Sequence, residues 1–267
     1  MTVFQALVLG LVQGLTEFLP ISSSAHLSLT PWLFGWRDPG LAFDVALHVG
    51  SLVAVLWFFR KDWVALIRAA GTLVRKRKAE TVEEKRVIFL VLATIPGAIG
   101  GLLLEDLADT VFRAPILTAS ALIAMGILLW AADRFSEQSR PLPGMSWLHA
   151  VLIGTAQVIA LIPGVSRSGS TITAARVLRF DRQSAAVFSF LMSMPITAAA
   201  IFLKVPEVIA DGDLQIQLLV GVLAAGVSSW LAISVLLRYV SRHSYGIFAL
   251  YRIVVGLIVL AIIQWRG

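Results

Sequence analysis

Six apolar stretches of this chain are long enough to cross a lipid bilayer as helices. A spanning helix needs about 20 mostly apolar residues to cover the hydrocarbon core. Charged residues are concentrated between these stretches, so the pattern predicts an all-α polytopic membrane protein. The predicted spans are 41–59, 87–104, 115–132, 184–203, 216–237 and 246–264.

Two further apolar stretches, 3–19 and 147–163, have a different pattern. Each carries a glutamine in its interior, Gln13 and Gln157, and each runs into a loop of proline and serine before a second segment follows. Interrupted hydrophobic segments at corresponding places in two halves of a chain are typical of binding sites in membrane proteins. We therefore predict two helix-loop-helix hairpins here.

Composition supports a chain surrounded by lipid. Hydrophobic residues make up 58% of the 267 positions and charged residues 14%, whereas soluble domains are about a quarter charged. The net charge of +6 does not indicate nucleic-acid binding, because the basic residues cluster in one loop as they do in cytoplasmic loops of membrane proteins. The absence of cysteine excludes disulfide and zinc-thiolate chemistry.

Loop charges indicate the orientation. Nine basic residues between the first two spans predict a cytoplasmic 60–86, and the acid-rich loops 105–114 and 204–213 predict the opposite side. This arrangement requires 147–163 to enter the membrane and return to the same side as a re-entrant hairpin, and by the same logic 3–19 does so too. The basic residues are Arg60, Lys61, Arg68, Arg75, Lys76, Arg77, Lys78, Lys85 and Arg86.

The two halves are predicted to be inverted-topology repeats. Gly10, Gln13 and Ser22 recur as Gly154, Gln157 and Ser166, each displaced by 144 positions. The predicted fold is therefore a single membrane domain, 1–267, made of repeats at about 1–132 and 145–267, with six spanning helices and two re-entrant hairpins.

The segment that follows the first hairpin helix holds a cluster of polar side chains. Gln13 and Glu17 are four residues apart and share a helix face, and Pro20 should end that helix. A carboxylate at this depth is costly unless it meets a cation, a metal or water. Serine hydroxyls and free backbone N–H groups at a helix start are good phosphate ligands. Packing, a proton path and simple helix capping are the alternatives for Glu17 and the serines that follow it.

The corresponding segment of the second half carries Arg167 among small residues. A guanidinium has the planar geometry that suits phosphate oxygens, and in a re-entrant turn it needs an anionic partner. The alternative is a salt bridge to Glu17 with no ligand. The offset of 144 aligns Ser23 with Arg167 and Glu17 with Leu161, so the two halves differ in chemistry. This asymmetry favours an enzyme over a symmetric transporter.

Three other polar residues lie inside the predicted spans. Asp44 and His48 share one helix face and either line the same cavity or form a buried pair. Arg252 in the last span must pair with an acid or face a cavity, and the sequence indicates no partner for it.

These motifs together resemble the bacterial undecaprenyl-diphosphatases associated with bacitracin resistance. The resemblance covers the length and hydropathy of the whole chain. It implies conversion of undecaprenyl diphosphate to the monophosphate and inorganic phosphate, which recycles the lipid carrier of cell-wall peptidoglycan synthesis at the bacterial inner membrane. It also implies a divalent cation, Mg²⁺ or Ca²⁺. The motifs are Gln13-xxx-Glu17, Pro20-x-Ser22-Ser23-Ser24-x-His26 and Pro163-Gly-x-Ser166-Arg167-Ser168-Gly169.

The resemblance also implies roles for individual residues. Glu17 would be the essential acid and cation ligand, and His26 the essential histidine. Ser23 would be the nucleophile and Arg167 the phosphate-binding arginine. Many members carry a second carboxylate where this chain has Gln13, which weakens a two-carboxylate metal scheme. The substrate-binding residues would be Gln13, Ser22, Ser24, Ser166, Ser168 and Gly169.

Several alternatives stay open at this point. The nucleophile is Ser23, His26 or water. A transporter or flippase of the lipid monophosphate is the second function that inverted repeats and broken helices favour, and a non-catalytic scaffold is the third. The expected partners are the polyprenyl diphosphate and membrane lipid, with no nucleic acid and with a homodimer as the assembly to test.

Overall fold

The computed structural model describes residues 1–109, 114–210 and 215–266. Within these residues the regular structure is helical, apart from one isolated bridge between Arg140 and Phe180. The helices of the first half are α1 (Val3–Glu17), α2 (Ser23–Phe34), α3 (Leu41–Phe58), α4 (Arg60–Lys76), α5 (Val82–Asp109) and α6 (Pro115–Phe135). Those of the second half are α7 (Trp147–Ala156), α8 (Arg167–Val177), α9 (Arg182–Ala210), α10 (Gln215–Val240) and α11 (Gly246–Arg266).

Six of the described helices are long and apolar enough to cross a membrane, which confirms the predicted spans to within a few residues. Their outward faces carry large exposed apolar side chains such as Leu103, Phe202 and Leu257, as expected where lipid is the solvent. The chain is therefore a multi-pass membrane protein. The spans are Leu41–Phe58, Val82–Leu104, Pro115–Phe135, Arg182–Leu203, Ile216–Val240 and Gly246–Arg266.

Each of the shorter apolar helices α1 and α7 is followed by a loop that contains serine. We call 18–22 the first serine loop and 162–166 the second serine loop. The first leads into α2; a 3₁₀ helix, Val158–Leu161, separates α7 from the second, which leads into α8. Both serine loops are largely buried, so the polar side chains they carry lie inside the helical bundle.

Each short helix packs against a long helix of the other half. Helix α1 packs mainly against α10, and α7 packs against α5. Glycines allow this close approach: a Cβ atom at Gly10 would lie 2.2 Å from the carbonyl oxygen of Gly221, and one at Gly154 would lie 2.3 Å from that of Ala93. Between the halves, α3 packs against α9 and α10, and α6 packs against α11.

The basic segment 60–86 is more ordered than a loop. It contains α4, whose Val64, Ile67 and Val74 are exposed alongside its arginines and lysines. Such an amphipathic helix lies on a membrane surface rather than across it. Helix α4 was not predicted from the sequence, because its apolar residues lie on one face and do not form a long apolar run. The acid-rich segments 105–114 and 204–213 lie largely outside the residues whose side chains are described.

A buried carboxylate of the first half binds three groups of the second half. Asp133 of α6 accepts hydrogen bonds from Arg176 Nε (2.9 Å), Arg182 Nε (2.8 Å) and the backbone N–H of Tyr245 (2.9 Å). Arg176 is fully buried and also donates to the carbonyl oxygen of Ser136. These bonds fix the C-terminal end of α8 and thereby help to orient the residues at its start.

Candidate active site

The two serine loops share one backbone conformation. Ser22 has φ 78° and Ser166 has φ 72°, a region that L-residues rarely occupy. Each serine caps the helix that follows: Ser22 Oγ accepts from the backbone N–H of Ala25 at 3.3 Å, and Ser166 Oγ accepts from that of Gly169 at 3.0 Å. Both loops thereby direct the first residues of α2 and α8 into the interior.

The serine loops contact each other directly. The backbone N–H of Gly164 donates to Ser22 Oγ at 3.1 Å, and Ser168 Oγ donates to the carbonyl oxygen of Leu19 at 3.0 Å. Gly164 has φ 99°, and a Cβ atom there would lie 2.3 Å from the carbonyl oxygen of Thr118, so this position requires glycine. Ser22 and Ser168 are therefore residues that join the loops.

Arg252 of α11 donates hydrogen bonds to the backbone of both serine loops. Its guanidinium is fully buried and donates to the carbonyl oxygens of Pro20 (2.9 Å), Gly164 (2.6 Å) and Val165 (2.9 Å). A Cβ atom at Gly169 would lie 2.5 Å from Arg252 Nη1. The sequence could not indicate these partners, because they are backbone carbonyl groups that become available only where both loops leave the helical hydrogen-bond pattern.

Glu17 lies at the centre of the site and is almost fully buried. Its Oε1 forms an ion pair with Arg167 Nη2. Its Oε2 accepts from Ser23 Oγ at 2.5 Å and from Gln13 Nε2 at 3.1 Å. Arg167 Nη1 donates to the carbonyl oxygen of Ser193 and to Thr197 Oγ1. The structure thus brings together Gln13, Glu17, Ser23 and Arg167, four of the residues selected from the sequence.

His48 of α3 also belongs to this cluster. Its Nε2 lies 3.3 Å from Glu17 Oε2, and its Nδ1 lies 2.8 Å from the backbone carbonyl oxygen of Asp44. The carbonyl oxygen can only accept, so Nδ1 carries a hydrogen. Nε2 faces the carboxylate and donates to it when the imidazole carries its second hydrogen as the cation. From the sequence, His48 was expected only to line the same cavity as Asp44 or to form a buried pair with it. Its position one helical turn after Asp44 in an apolar span was the available signal.

His26 points elsewhere. Its Nδ1 lies 2.7 Å from the carbonyl oxygen of Ser22, and its Nε2 lies 2.8 Å from the hydroxyl of Tyr251 on α11. The ring also stacks on Tyr251. In this conformation both ring nitrogens have neutral partners, and His26 does not line the cavity that holds Glu17.

A cavity of about 240 Å³, called the polar cavity here after the ionisable side chains in its wall, opens beside Glu17. Of the site residues selected from the sequence, the cavity is lined by Glu17, Ser23, Ser24, Ser166 and Arg167 and not by Gln13, Ser22, Ser168 or Gly169. Donors and a cation therefore face one small space, which suits an anionic group such as a phosphate.

A larger apolar cavity of about 520 Å³ adjoins the polar one between α3, α5 and α9. The two cavities share wall residues, among them Ser24, His48 and Gly97. Most of the remaining lining is aliphatic, including Leu102, Ala199 and Leu203. Together the cavities suit an amphiphile with an anionic head and an apolar chain.

The donor set around Glu17 does not suit a divalent cation bound by that carboxylate alone. Arg167, Ser23, Gln13 and His48 already contact both of its oxygens. No group of three or more His, Cys, Asp or Glu side chains that could hold a metal occurs in the described part of the chain. One acceptor on the cavity wall is different: Gln157 Oε1 is buried and has no hydrogen-bond partner among the described residues.

Comparisons with known proteins agree with this chemistry. Residues 6–258 match the family model described as bacitracin resistance protein BacA. The chain is 59% identical over 266 residues to an undecaprenyl-diphosphatase of Gemmatimonas aurantiaca, with 100% of both chains covered. It is 49% identical to one of Pelotomaculum thermopropionicum, covering 100% of this chain and 98% of that one, and 47% identical to one of Moorella thermoacetica, covering 100% of both. The chain therefore belongs to the BacA family of undecaprenyl-diphosphatases.

Proposed function

We propose that this protein hydrolyses undecaprenyl diphosphate to undecaprenyl phosphate and inorganic phosphate. The observation that carries the proposal is the arrangement of Glu17, Ser23 and Arg167 in a polar cavity that adjoins an apolar one. The names of the full-length relatives agree with it. This reaction would recycle the lipid carrier of cell-wall synthesis at the bacterial inner membrane. It would also counter the loss of this carrier that bacitracin causes.

The substrate is proposed to lie across both cavities. The diphosphate enters the polar cavity next to Arg167, and the first isoprene units occupy the apolar cavity between α5 and α9. Gly101 on α5 lines this apolar cavity, and a Cβ atom there would meet no heavy atom within 4 Å. The long remainder of the tail extends into the surrounding membrane lipid.

Glu17 is proposed to accept the proton of the attacking hydroxyl. Ser23 Oγ already donates to Glu17 Oε2 at 2.5 Å, a geometry suited to a nucleophile and its base. As the bond from Ser23 Oγ to the terminal phosphorus forms, the bond to the bridging oxygen breaks, and its electron pair leaves with the lipid phosphate. Water then releases phosphate from the serine. Direct attack by a water held at the same carboxylate is the alternative.

Arg167 is proposed to exchange Glu17 for the transferred phosphoryl group. Only Nη2 contacts Glu17, while Nη1 is held by Ser193 and Thr197, so the guanidinium can turn toward a phosphate without losing its second anchor. A donor anchored by Ser193 and Thr197 would stabilise the negative charge that grows on the phosphoryl oxygens. A divalent cation, when bound, supplies further neutralisation of the diphosphate oxygens.

We propose that the helices form an inverted-topology repeat with two re-entrant hairpins. Three similarities support it: the matched conformations of Ser22 and Ser166, the matched close approaches of Gly10 and Gly154, and the reciprocal packing of α1 on α10 and α7 on α5. Single cysteines placed at positions 80 and 107 of this cysteine-free chain should label from opposite sides of the membrane. Labelling of both from the periplasmic side would contradict the topology.

Phosphate release by the purified chain in detergent tests the function. Hydrolysis of undecaprenyl diphosphate without a sealed membrane, abolished in Glu17→Gln, is the expected result. The repeat architecture also suits a flippase of the monophosphate. A chain that releases no phosphate in detergent but moves the monophosphate across vesicles would support that function instead. Size-exclusion chromatography with light scattering would test the homodimer.

A further inference from the structure

We propose that a second cavity, formed where α6 ends and where α9 and α11 begin, binds the phosphate of an anionic phospholipid headgroup. This cavity has a volume of about 130 Å³. The inference does not depend on the proposed hydrolysis, because the wall of this cavity shares no residue with the two cavities of the candidate active site. The wall is formed by Trp130, Asp133, Arg134, Arg182, Ser244 and Gly246.

The headgroup cavity lies on the same side of the membrane as the basic segment 60–86. Helices α5 and α6 follow that segment and cross the membrane once each, so the end of α6 returns to the side on which α5 begins. The distribution of loop charges predicts that this side is cytoplasmic. The cytoplasmic leaflet presents anionic lipid, and basic pockets between spanning helices on that side are suited to anionic headgroups.

Arg182 has hydrogen-bond donors available for a ligand. Its Nε donates to both carboxylate oxygens of Asp133, at 2.8 and 3.1 Å. Within the described part of the chain its two terminal nitrogens make no hydrogen bond, and neither of them is fully buried. The side chain is 20% exposed, so these nitrogens can be reached from the cavity. Guanidinium N–H groups bind phosphate oxygens in pairs, and the hydroxyl of Ser244 adds a further donor to the same wall.

Arg134 adds a second positive charge to the wall. It is exposed at the end of α6 and forms no ion pair or hydrogen bond with the described residues. The carboxylate in the wall, Asp133, already accepts from Arg176, from Arg182 and from the backbone N–H of Tyr245. The wall therefore attracts an anion, while the engaged carboxylate has little capacity left for the ammonium group of a zwitterionic headgroup.

Aromatic side chains at the end of α6 indicate that the anion belongs to a lipid. Trp130 lines the cavity and is 47% exposed, and its ring contacts that of Phe135, which is 75% exposed. Exposed aromatic rings at the end of a spanning helix lie at the level of the lipid headgroups. The cavity is thus beside the headgroup layer, where a phospholipid can place its phosphate between the arginines while its acyl chains stay in the bilayer.

Native mass spectrometry of the parent protein in a neutral detergent measures this binding. The protein is titrated with dioleoylphosphatidylglycerol and, separately, with dioleoylphosphatidylcholine, and the dissociation constant of the first bound lipid is obtained for each. We expect the anionic lipid to bind at least about tenfold more tightly, since two basic groups contribute to it. Glycerol phosphate, which carries the charged group without acyl chains, should not displace it at equal concentration.

Substitution of the wall arginines should weaken binding of the anionic lipid only. Arg134→Gln should raise the dissociation constant for phosphatidylglycerol about fivefold, and Arg182→Gln at least as much. Arg242→Gln is the matched control, because it removes the same charge from an exposed position between α10 and α11 that does not line the cavity. It should bind phosphatidylglycerol like the parent. Arg134→Gln should keep normal phosphate release in detergent without added phospholipid.

Three results would overturn the inference. Equal affinities of the parent for the two lipids would show that the cavity does not select an anion. Equal losses in Arg134→Gln and Arg242→Gln would attribute the binding to the overall basic charge of this side. Displacement by glycerol phosphate at equal concentration would make the ligand a soluble phosphate compound.

The test stays decisive if one variant does not fold, and it is separate from the test of the proposed function. Should Arg182→Gln not fold, Arg134→Gln decides, since Arg134 has no partner among the described residues to lose. A parent protein that binds phosphatidylglycerol as expected but releases no phosphate from undecaprenyl diphosphate contradicts the proposed function and leaves the headgroup cavity in place.

Discussion

The serine loop after α1 and the serine loop before α8 have similar backbones but are flanked by different charged residues. Ser22 and Ser166 have matching positive φ angles, and each side-chain oxygen lies 3.1 Å from that of the serine two positions later. The residues that follow them differ: Ser23 begins α2, whereas Arg167 begins α8. Upstream, Glu17 stands where the second half has Leu161.

Under the proposed repeat and mechanism, this difference would let two matching turns serve an asymmetric reaction. The shared turn brings two helix starts to one cavity, where their free N–H groups and capping hydroxyls suit an anion. In the proposed mechanism the residues that differ would divide the chemistry, with the carboxylate and hydroxyl in the first half and the guanidinium in the second. Four predictions test this division of roles.

The largest expected effect is that of Glu17→Gln. The amide keeps the size of the side chain but cannot accept a proton from Ser23, so kcat should fall by about 10³-fold, within the range usual for loss of a general base. Phosphate release with saturating lipid would measure it. Gln13→Ala, which removes only a donor to the same carboxylate, should be far milder. Equal losses in both variants would mean that Gln13 contacts the substrate or cation itself.

Arg167→Lys tests the residue that follows the second serine loop and should lower kcat about a hundredfold. Lysine keeps the charge but loses the planar geometry, so kcat should fall more than KM rises if the arginine stabilises the transferred phosphoryl group. Normal turnover in a folded Arg167→Lys protein would reduce the residue to a structural partner of Glu17. In that case the double variant Arg167→Ala with Glu17→Gln should regain the stability that Arg167→Ala loses.

His48 is expected to hold Glu17 in position, and its loss should lower kcat about tenfold. A hydrogen bond to a charged group contributes roughly 1.5–3 kcal/mol, and glutamine can place an N–H near the site of Nε2. His48→Leu should therefore lower kcat about tenfold with little change in KM, and His48→Gln should recover most of it. His243→Gln, at an exposed histidine, is the control. Equal losses in the leucine and glutamine variants would refute a donor role.

The smallest effect concerns the shared turn itself. Ser22→Ala and Ser166→Ala each remove a helix cap worth about 1 kcal/mol of unfolding free energy. Ser22 Oγ also accepts from Gly164 N–H, so its loss should cost roughly 1 kcal/mol more. Unfolding in a denaturing detergent would compare the two, with Ser146→Ala, the cap of α7, as the reference. Equal losses would mean that the contact between the loops is not stabilising.

Much of the architecture could be predicted because lipid imposes a simple rule on sequence. Every span must be apolar over about 20 residues, so the six long helices could be identified from composition along the chain. Glu17 and Arg167 stood out for the same reason, since charged groups at that depth require partners. The repeated Gly10, Gln13 and Ser22 pattern also indicates matching segments in the two halves.

Other features depended on side-chain direction and on contacts between distant segments. His26 follows the serines in sequence, yet the α2 helix turns it toward Tyr251, while His48 on α3 reaches Glu17. Arg252 finds its partners in carbonyl groups of two loops that are separated from it by 232 and 88 positions. A helix has one side chain every 100° of rotation, so only the packed bundle decides which of them face the cavity.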